Sequence, residues 1–178
     1  MTRRHRYRVA SQLAIIALVT PTSFLIAKPA QAYPSGSVTV RYAVVDTDNC
    51  ARVAGTLPVE NQSTGCFLDD PIDNTFFEKD AGGQAVKIQM YYGGDLIAKV
   101  EFHPQGEKLW VYDTKNDGDG VYTTVGGGIY YAPNGTDSPV DYRVIDLSRS
   151  EGDAVYVHVD DDPWEDSSNH ITTIIGFA

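Results

Sequence analysis

The sequence predicts an all-β protein, an antiparallel β-sandwich without substantial helix after residue 32. Three observations lead to this prediction. Apolar and polar residues alternate with a period of two along seven segments, clusters of Gly, Asp, Asn and Pro separate those segments, and no stretch of ten residues after residue 32 has helical periodicity. Period two with many Val, Ile, Thr and Tyr residues is typical of strands that bury one face.

The predicted strands follow one another along the chain. The first, SVTVRYAVV, places Val38, Val40 and Val44 on one face, and six further segments alternate in the same way: AVKIQMYY, LIAKVEFH, EKLWVYD, VDYRVIDL, AVYVHVD and the weaker HITTIIGF. Turn clusters such as YGGD and HPQGE lie between them. This spacing favours an immunoglobulin-like or jelly-roll-like sandwich, in which two sheets bury their apolar faces against each other.

The first 32 residues have the features of a signal peptide. A basic start, MTRRHRYR, precedes an apolar run, and the segment Ala30-Gln31-Ala32 has the small-x-small pattern of a cleavage site. A membrane anchor is the alternative, but the run is short for a span of about 20 residues. The paired arginines leave twin-arginine export open beside the general secretory route. We therefore expect residues 33–178 to form one secreted, extracellular domain with no membrane span.

Residues 33–178 are strongly acidic. They contain all 24 Asp and Glu residues but only nine of the 14 Lys and Arg residues, which gives a formal charge of −15. Such a charge repels the phosphates of nucleic acids and attracts cations. A nucleic-acid partner is therefore excluded, and an extracellular polymer or protein is the expected partner.

Cys50 and Cys66 are the two cysteines of the chain. In an exported protein an even number of cysteines predicts a disulfide, here across a short loop. A two-cysteine metal site is the alternative, but these cysteines have neither CxxC spacing nor nearby histidines. The bridge would brace residues 46–84, which alternate less regularly than the rest and which we interpret as an excursion from the sandwich.

The segment DTKNDGDGVY (113–122) concentrates three aspartates and two Asp-Gly pairs in ten residues. An EF-hand loop is excluded because Lys115 occupies the position of the second ligand. A tight hairpin is the first interpretation, since Asp-Gly supplies the positive φ that such turns need. A calcium site of another kind, with ligands from several loops, is the alternative. Its candidate ligands are Asp113, Asp117, Asp119, Asp46 and Asp48.

The stretch AKVEFHPQGEKLWVYDTKNDGDGVYTTV (98–125) carries a family resemblance. An alternating strand, a Gly-Glu turn, a second strand that ends in Asp and an Asp-Gly-rich hairpin follow one another. This order resembles small exported proteins of high-GC Gram-positive bacteria. The resemblance implies an exported β-sandwich without an assigned activity, and it implies no catalytic residue.

Aromatic residues supply the main functional hypothesis. If Leu109 and Val111 point into the sandwich, Trp110 and Tyr112 point outward, and together with Tyr91 they would form an exposed aromatic strip. Such a strip suits stacking on sugar rings or contact with another protein. The alternative is that residues 46–84 or the C-terminal tail cover it.

No HExxH, GxSxG or HxH motif occurs in the sequence, and no catalytic residue is predicted. We expect a secreted, non-enzymatic binding module for an extracellular surface, polymer or protein, with calcium-assisted carbohydrate binding as its sharpest form. One alternative is a secreted inhibitor that inserts residues 51–65 into an extracellular enzyme. The other is a small extracellular hydrolase built on scattered acids. An open aromatic strip would favour the binding module, and a protruding loop would favour the inhibitor. A cleft with two facing carboxylates would favour the hydrolase.

Overall fold

The computed structural model describes residues 33, 36–115, 120–127, 130–133, 140–161 and 170–178. The regular elements in these ranges are all strands and pair antiparallel, which confirms the predicted fold class. None of these ranges contains a helix with the length and hydropathy of a membrane span. The strands are β1 (Thr39–Asp46), β2 (Ala51–Gly55), β3 (Glu60–Asn61), β4 (Gly65–Leu68), β5 (Thr75–Glu78), β6 (Gln84–Tyr92), β7 (Asp95–His103), β8 (Lys108–Asp113), β9 (Tyr122–Val125), β10 (Tyr130–Tyr131), β11 (Asp141–Asp146), β12 (Ala154–Asp160) and β13 (His170–Phe177).

Ten strands form one large sheet. Its order is β10-β9-β12-β13-β6-β7-β8-β11, and β1 pairs with both β2 and β6. β6 is flanked along its length by β1 and β7, whereas β13 meets it at a single pair, Phe177 with Gln84. The sheet turns a corner at this pair, so that β9, β12 and β13 pack over β1, β6, β7 and β8 as the second layer of a sandwich.

The main core lies between these two layers. Ile88, Val100 and Phe102 from one layer and Val157 and Val159 from the other have no exposed surface. They occupy the apolar positions of the alternating strands, and each such side chain contributes about 1.5–3 kcal/mol through burial. The period-two pattern therefore identifies the inner faces of both layers.

The excursion, residues 46–84, forms a third layer on the opposite face of β1, β6 and β7. It contains β2, which extends the large sheet beside β1, and a small sheet in the order β3-β4-β5. The predicted disulfide between Cys50 and Cys66 is present, with an S–S distance of 2.11 Å. A second apolar core holds this layer in place, and its buried residues are Ala43, Val45, Cys50, Leu57, Cys66, Leu68, Phe77 and Ala85.

β6 and β7 are consequently buried on both faces. The sequence predicts that each strand has one polar, solvent-facing side, and polar residues do alternate with core residues. The polar side of β6 and β7 is nevertheless covered by the excursion. Lys87, Lys99 and Glu101 are at most 2% exposed. A charged side chain in such a place costs several kcal/mol unless it is paired. The partners of these residues lead to the candidate functional site.

Candidate functional site

The outer face is the face of β1, β6, β7, β8 and β11 that points away from the main core. Strand register aligns its side chains in two neighbouring rows. One row consists of Arg41, Gln89, Lys99, Tyr112 and Tyr142, and the next of Ala43, Lys87, Glu101, Trp110 and Val144. Directly opposed residues of antiparallel strands have Cβ atoms about 5 Å apart. The sheet therefore brings together charged and aromatic residues that are far apart in the sequence.

Five residues of this region form a charge cluster: Lys87, Lys99, Asp70, Asp73 and Glu101. Asp70 Oδ2 lies 2.7 Å from Lys87 Nζ and 3.1 Å from Lys99 Nζ. Lys99 Nζ also lies 3.0 Å from Glu101 Oε1 and is ion-paired with Asp73. Both lysine side chains and that of Asp70 are fully buried, whereas that of Asp73 is 49% exposed. These contacts tie the excursion to the middle of the outer face.

Loop 70–74 holds its two aspartates over the lysines by a turn that Asp70 itself organises. The loop begins with Asp-Pro, a dipeptide that favours turns. Asp70 Oδ1 accepts the backbone N–H groups of Ile72, Asp73 and Asn74 at distances between 2.8 and 3.3 Å. A carboxylate that accepts N–H groups two or more residues further on makes an Asx turn. One oxygen of Asp70 thus shapes the loop, and the other binds the lysines.

Burial has opposite effects on the two members of the Asp70–Lys87 pair. Burial alone would raise the pKa of Asp70, but the hydrogen bond from Lys87, the N–H of Ile72 and the charges of Lys87 and Lys99 outweigh it and hold the pKa well below its usual range. Burial lowers the pKa of Lys87, although Asp70 opposes that shift. Asp70 is therefore ionised at neutral pH.

The other carboxylate of the cluster is held ionised in a similar way. Burial would raise the pKa of Glu101, but the hydrogen bond with His103 Nε2, at 3.0 Å, and the charge of Lys99 lower it. Burial would lower the pKa of Lys99, and the charge of Glu101 and the bond to Asp73 raise it instead. Burial and the neighbouring carboxylates raise the pKa of Tyr112, whose hydroxyl donates to Asp73 Oδ2 at 3.1 Å. Tyr112 is therefore a neutral hydrogen-bond donor.

A groove of about 480 Å³ opens between the outer face and the excursion, beside the charge cluster. This volume is in the range of sites for small ligands, about 300–1,000 Å³. The sheet contributes residues from β1 and β6, and the excursion contributes the segment before β3 and the loop between β4 and β5. The lining residues are Arg41, Gln89 and Tyr91 from the sheet, and Leu57, Pro58, Asp69, Asp70 and Pro71 from the excursion.

Three polar groups of the groove are not used by the described residues. The guanidinium of Arg41 lies 4.9 Å from the centre of the Tyr91 ring and makes no ion pair with a described residue. Gln89, which is 2% exposed, accepts the Tyr91 hydroxyl through Oε1 at 3.1 Å, and its amide N–H groups bond to none of the described residues. The exposed carboxylate of Asp69 also bonds to none of these residues. The groove thus presents two donor groups and one acceptor group.

The three predicted aromatic residues point away from the main core, as the alternation requires. Trp110 and Tyr112 stack with ring centres 6.1 Å apart, whereas Tyr91 lies in the groove. Tyr91 is half-buried and lines the groove. Tyr112 is only 4% exposed because Asp73 and Lys99 cover it, with Lys99 Nζ 4.2 Å from the ring centre. Trp110 is half-buried. The excursion therefore covers Tyr112, whereas Tyr91 and Trp110 are only half-buried.

Tyr142 is an aromatic residue of this face that the sequence reasoning did not single out. It is 51% exposed and stacks on Trp110 and Tyr112, with ring centres 5.8 and 5.5 Å apart. The alternation of VDYRVIDL already puts Tyr142 and Val144 on one face. What the alternation cannot show is that β11 lies beside β8, which is a long-range pairing.

The candidate calcium ligands lie at two ends of the sheet. Asp46 ends β1, whereas Asp113 is level with Val40, six residues earlier on β1, through the pairs of β6, β7 and β8. At about 3.3 Å per residue this separation is about 20 Å. Asp46 and Asp48 are therefore too far from Asp113 to share one ion with it.

The described aspartates among those candidates have local roles in turns. Asp46 accepts the N–H of Asp48 at 3.0 Å, Asp48 accepts that of Gly82 at 3.2 Å, and Asp113 accepts that of Lys115 at 2.9 Å. No group of three or more His, Cys, Asp or Glu residues in the described part of the chain is arranged to hold a metal. Asp117 and Asp119 lie outside the described residues, and calcium binding by the hairpin stays a prediction.

A histidine cluster, Asp160, His170, Thr173 and His158, lies on the outward face of β12 and β13. Asp160 Oδ1 is 3.1 Å from His170 Nδ1, and His170 Nε2 is 3.2 Å from the hydroxyl of Thr173. The same hydroxyl lies 2.8 Å from His158 Nδ1. Carboxylate, imidazole and hydroxyl are thus connected in series on an accessible surface.

No protein-family model matches the chain, and neither a curated protein nor a solved structure shows significant similarity to it.

Proposed function

We propose that this protein is a secreted binding module that holds a segment of an extracellular polysaccharide in the groove. The observation that supports the proposal is that two donors, Arg41 and Gln89, and an acceptor, Asp69, line one open groove and are not used by the part of the chain that the structure describes. Sugar hydroxyls both donate and accept hydrogen bonds. The signal-peptide pattern of residues 1–32 and the disulfide support an extracellular location.

The groove is also held rigid before any ligand binds. Asp70 anchors its excursion side to Lys87 and Lys99, and the Arg41 guanidinium and the Tyr91 ring pack against each other. Groups that are already ordered lose less conformational entropy when they bind a ligand. The charge cluster therefore supports binding by fixing the excursion wall of the groove, which Asp70 also lines.

The inhibitor alternative receives less support from the conformation of residues 51–65. Their first part is β2, which pairs with β1, and Arg52 donates to the carbonyl of Leu57 at 2.9 Å. Asn61 donates to the carbonyl of Asn49 at 2.9 Å. The segment is thus held against its neighbours at both ends, and we favour the groove.

Replacing Arg41 or Asp69 by Ala should weaken polysaccharide binding by about 10-fold or more, because each change removes charged hydrogen bonds of about 1.5–3 kcal/mol. Co-sedimentation with insoluble peptidoglycan, chitin and cellulose would identify the polymer. A glycan array and calorimetric titration with a soluble oligosaccharide would follow.

The matched control for that experiment is Arg143→Ala. Arg143 is an exposed arginine whose guanidinium lies 5.8 Å from the ring of Tyr131, away from the groove lining. This variant should bind as the wild type does. Equal weakening by Arg41→Ala and Arg143→Ala would indicate nonspecific charge attraction. A wild-type protein that binds no polymer and no arrayed glycan would contradict the proposal.

The histidine cluster favours a second candidate function, ester hydrolysis by an activated hydroxyl. Asp160, His170 and Thr173 have the order of contacts found in nucleophile triads, in which the carboxylate orients the imidazole and the imidazole takes the proton of the hydroxyl. The hydrolase hypothesis drawn from the sequence depended on scattered acids, whereas this one depends on Asp160, His170 and Thr173.

If Thr173 is a nucleophile, Thr173→Val should lower the rate of p-nitrophenyl acetate hydrolysis by about 100-fold or more, whereas Thr172→Val should have little effect. Mass spectrometry after a short reaction should find an acetyl group on Thr173. Surface imidazoles hydrolyse this ester without a nucleophilic hydroxyl, so activity that survives Thr173→Val but not His170→Gln would exclude the triad.

A further inference from the structure

The contact between Lys99 and Asp73 joins β7 to loop 70–74. The amine of Lys99 is fully buried, and the carboxylate of Glu101 lies 3.0 Å from Lys99 Nζ. We propose that Lys99 Nζ and Asp73 Cγ form an amide bond in the folded protein, with Glu101 as the catalytic residue. The bond would be an intramolecular cross-link between side chains.

Asp73, not Asp70, is the electrophile. Asp70 accepts three backbone N–H groups through one oxygen and two lysines through the other, so its negative charge is stabilised from every side. A carboxylate must be protonated before an amine displaces its oxygen as water. Asp73 makes fewer such bonds, to Lys99 and the hydroxyl of Tyr112, and its half-exposed side chain offers an exit for water.

The reaction needs no reagent beyond the groups that are present. A proton first moves from the Lys99 ammonium to the Asp73 carboxylate, which gives a neutral amine and a neutral carboxyl group. The amine attacks Cγ, and the Tyr112 hydroxyl, 3.1 Å from Asp73 Oδ2, stabilises the oxygen that becomes negative. Glu101 then takes a proton from the nitrogen and delivers it to the departing hydroxyl, so that one C–N bond forms and one water leaves.

Amide formation would remove the fully buried ammonium ion of Lys99 from the cluster. Two buried lysines face three carboxylates, and buried ions cost free energy unless each is fully compensated. Amide formation removes one charge of each sign. The ion pair of Lys87 with Asp70 at 2.7 Å would remain, and Glu101 would keep its hydrogen bond with His103 Nε2 at 3.0 Å. The bond would also lock the excursion to the sheet beside the groove.

Intact-mass measurement of the purified, folded protein tests the proposal directly. After reduction and alkylation of the disulfide, the wild type should be lighter than its calculated mass by one water. Trypsin should not cleave after Lys99, and the peptide that contains Lys99 should be found joined to the one that contains Asp73. Lys99→Arg and Asp73→Ala should have their full calculated masses.

Glu101→Gln separates catalysis from folding, because it keeps the size of the side chain. It should fold, as circular dichroism would show, and should retain the full mass or lose water only slowly. A folded wild type of full mass, cleaved by trypsin after Lys99, would overturn the proposal. So would a water loss that maps to Asp117 or Asp119, since Asp-Gly sequences lose water by forming succinimides, which mild base reverses.

Discussion

Replacing Asp70 by Ala is expected to lower the free energy of unfolding by about 3–5 kcal/mol, the cost of removing one partner from a buried ion pair. The variant leaves Lys87 buried without its carboxylate and removes the acceptor for three N–H groups of loop 70–74. The free energy of unfolding of Asp70→Asn should lie between those of the wild type and Asp70→Ala, because the amide oxygen preserves the turn but not the charge. Chemical denaturation of the three proteins measures the differences.

Asp69→Ala is the matched control, since the neighbouring carboxylate is exposed and bonds to none of the described residues. It should change stability by no more than about 0.5 kcal/mol.

The loss of stability in Asp70→Ala should also depend on pH. The folded-state pKa of Asp70 is lowered, so its contribution is complete above the unfolded value of about 3.9 and disappears as the pH falls through the lowered folded value. A penalty below about 1 kcal/mol at pH 7 would mean that the charge cluster does not hold the excursion.

Phe77→Ala should lower the free energy of unfolding by about 3–5 kcal/mol, as expected for an aromatic residue removed from a packed core. Phe77 has no exposed surface, belongs to the second core with Cys66, and its ring centre lies 4.8 Å from that of His103. The cavity would therefore open between the excursion and the sheet. Thermal and urea denaturation would measure the loss.

Phe76→Ala is the control on the same strand. Phe76 is the preceding residue, points to the opposite side of β5 and is 37% exposed. Its removal should cost about 1 kcal/mol or less. Equal costs for the two variants would contradict a second core beneath the small sheet, because only Phe77 contributes to it.

The candidate site was partly predictable, and its residues show where prediction stopped. Alternation places Lys99, Trp110 and Tyr112 opposite the main core, and the structure agrees. Neither Arg41 nor Gln89 was recognised as lining a groove, because the other wall belongs to the excursion. Its weak periodicity gives no indication of which face it covers. In the sequence, Lys87 and Lys99 have the pattern of solvent-facing residues. Only the structure shows that loop 70–74 covers them and pairs them with Asp70 and Asp73.

The sequence by itself determined the class of the fold, the inner faces of the strands and the disulfide between Cys50 and Cys66. These properties depend on neighbouring residues and on the number of cysteines, so local patterns are sufficient to predict them. Only the tertiary structure decided that Asp70 meets Lys87 and Lys99 and that β11 lies beside β8. The alternation of apolar and polar residues indicates that a strand has two different faces. Which segment covers each face depends on contacts between residues that are distant in the sequence. Those contacts make the outer face a charge cluster with a groove beside it.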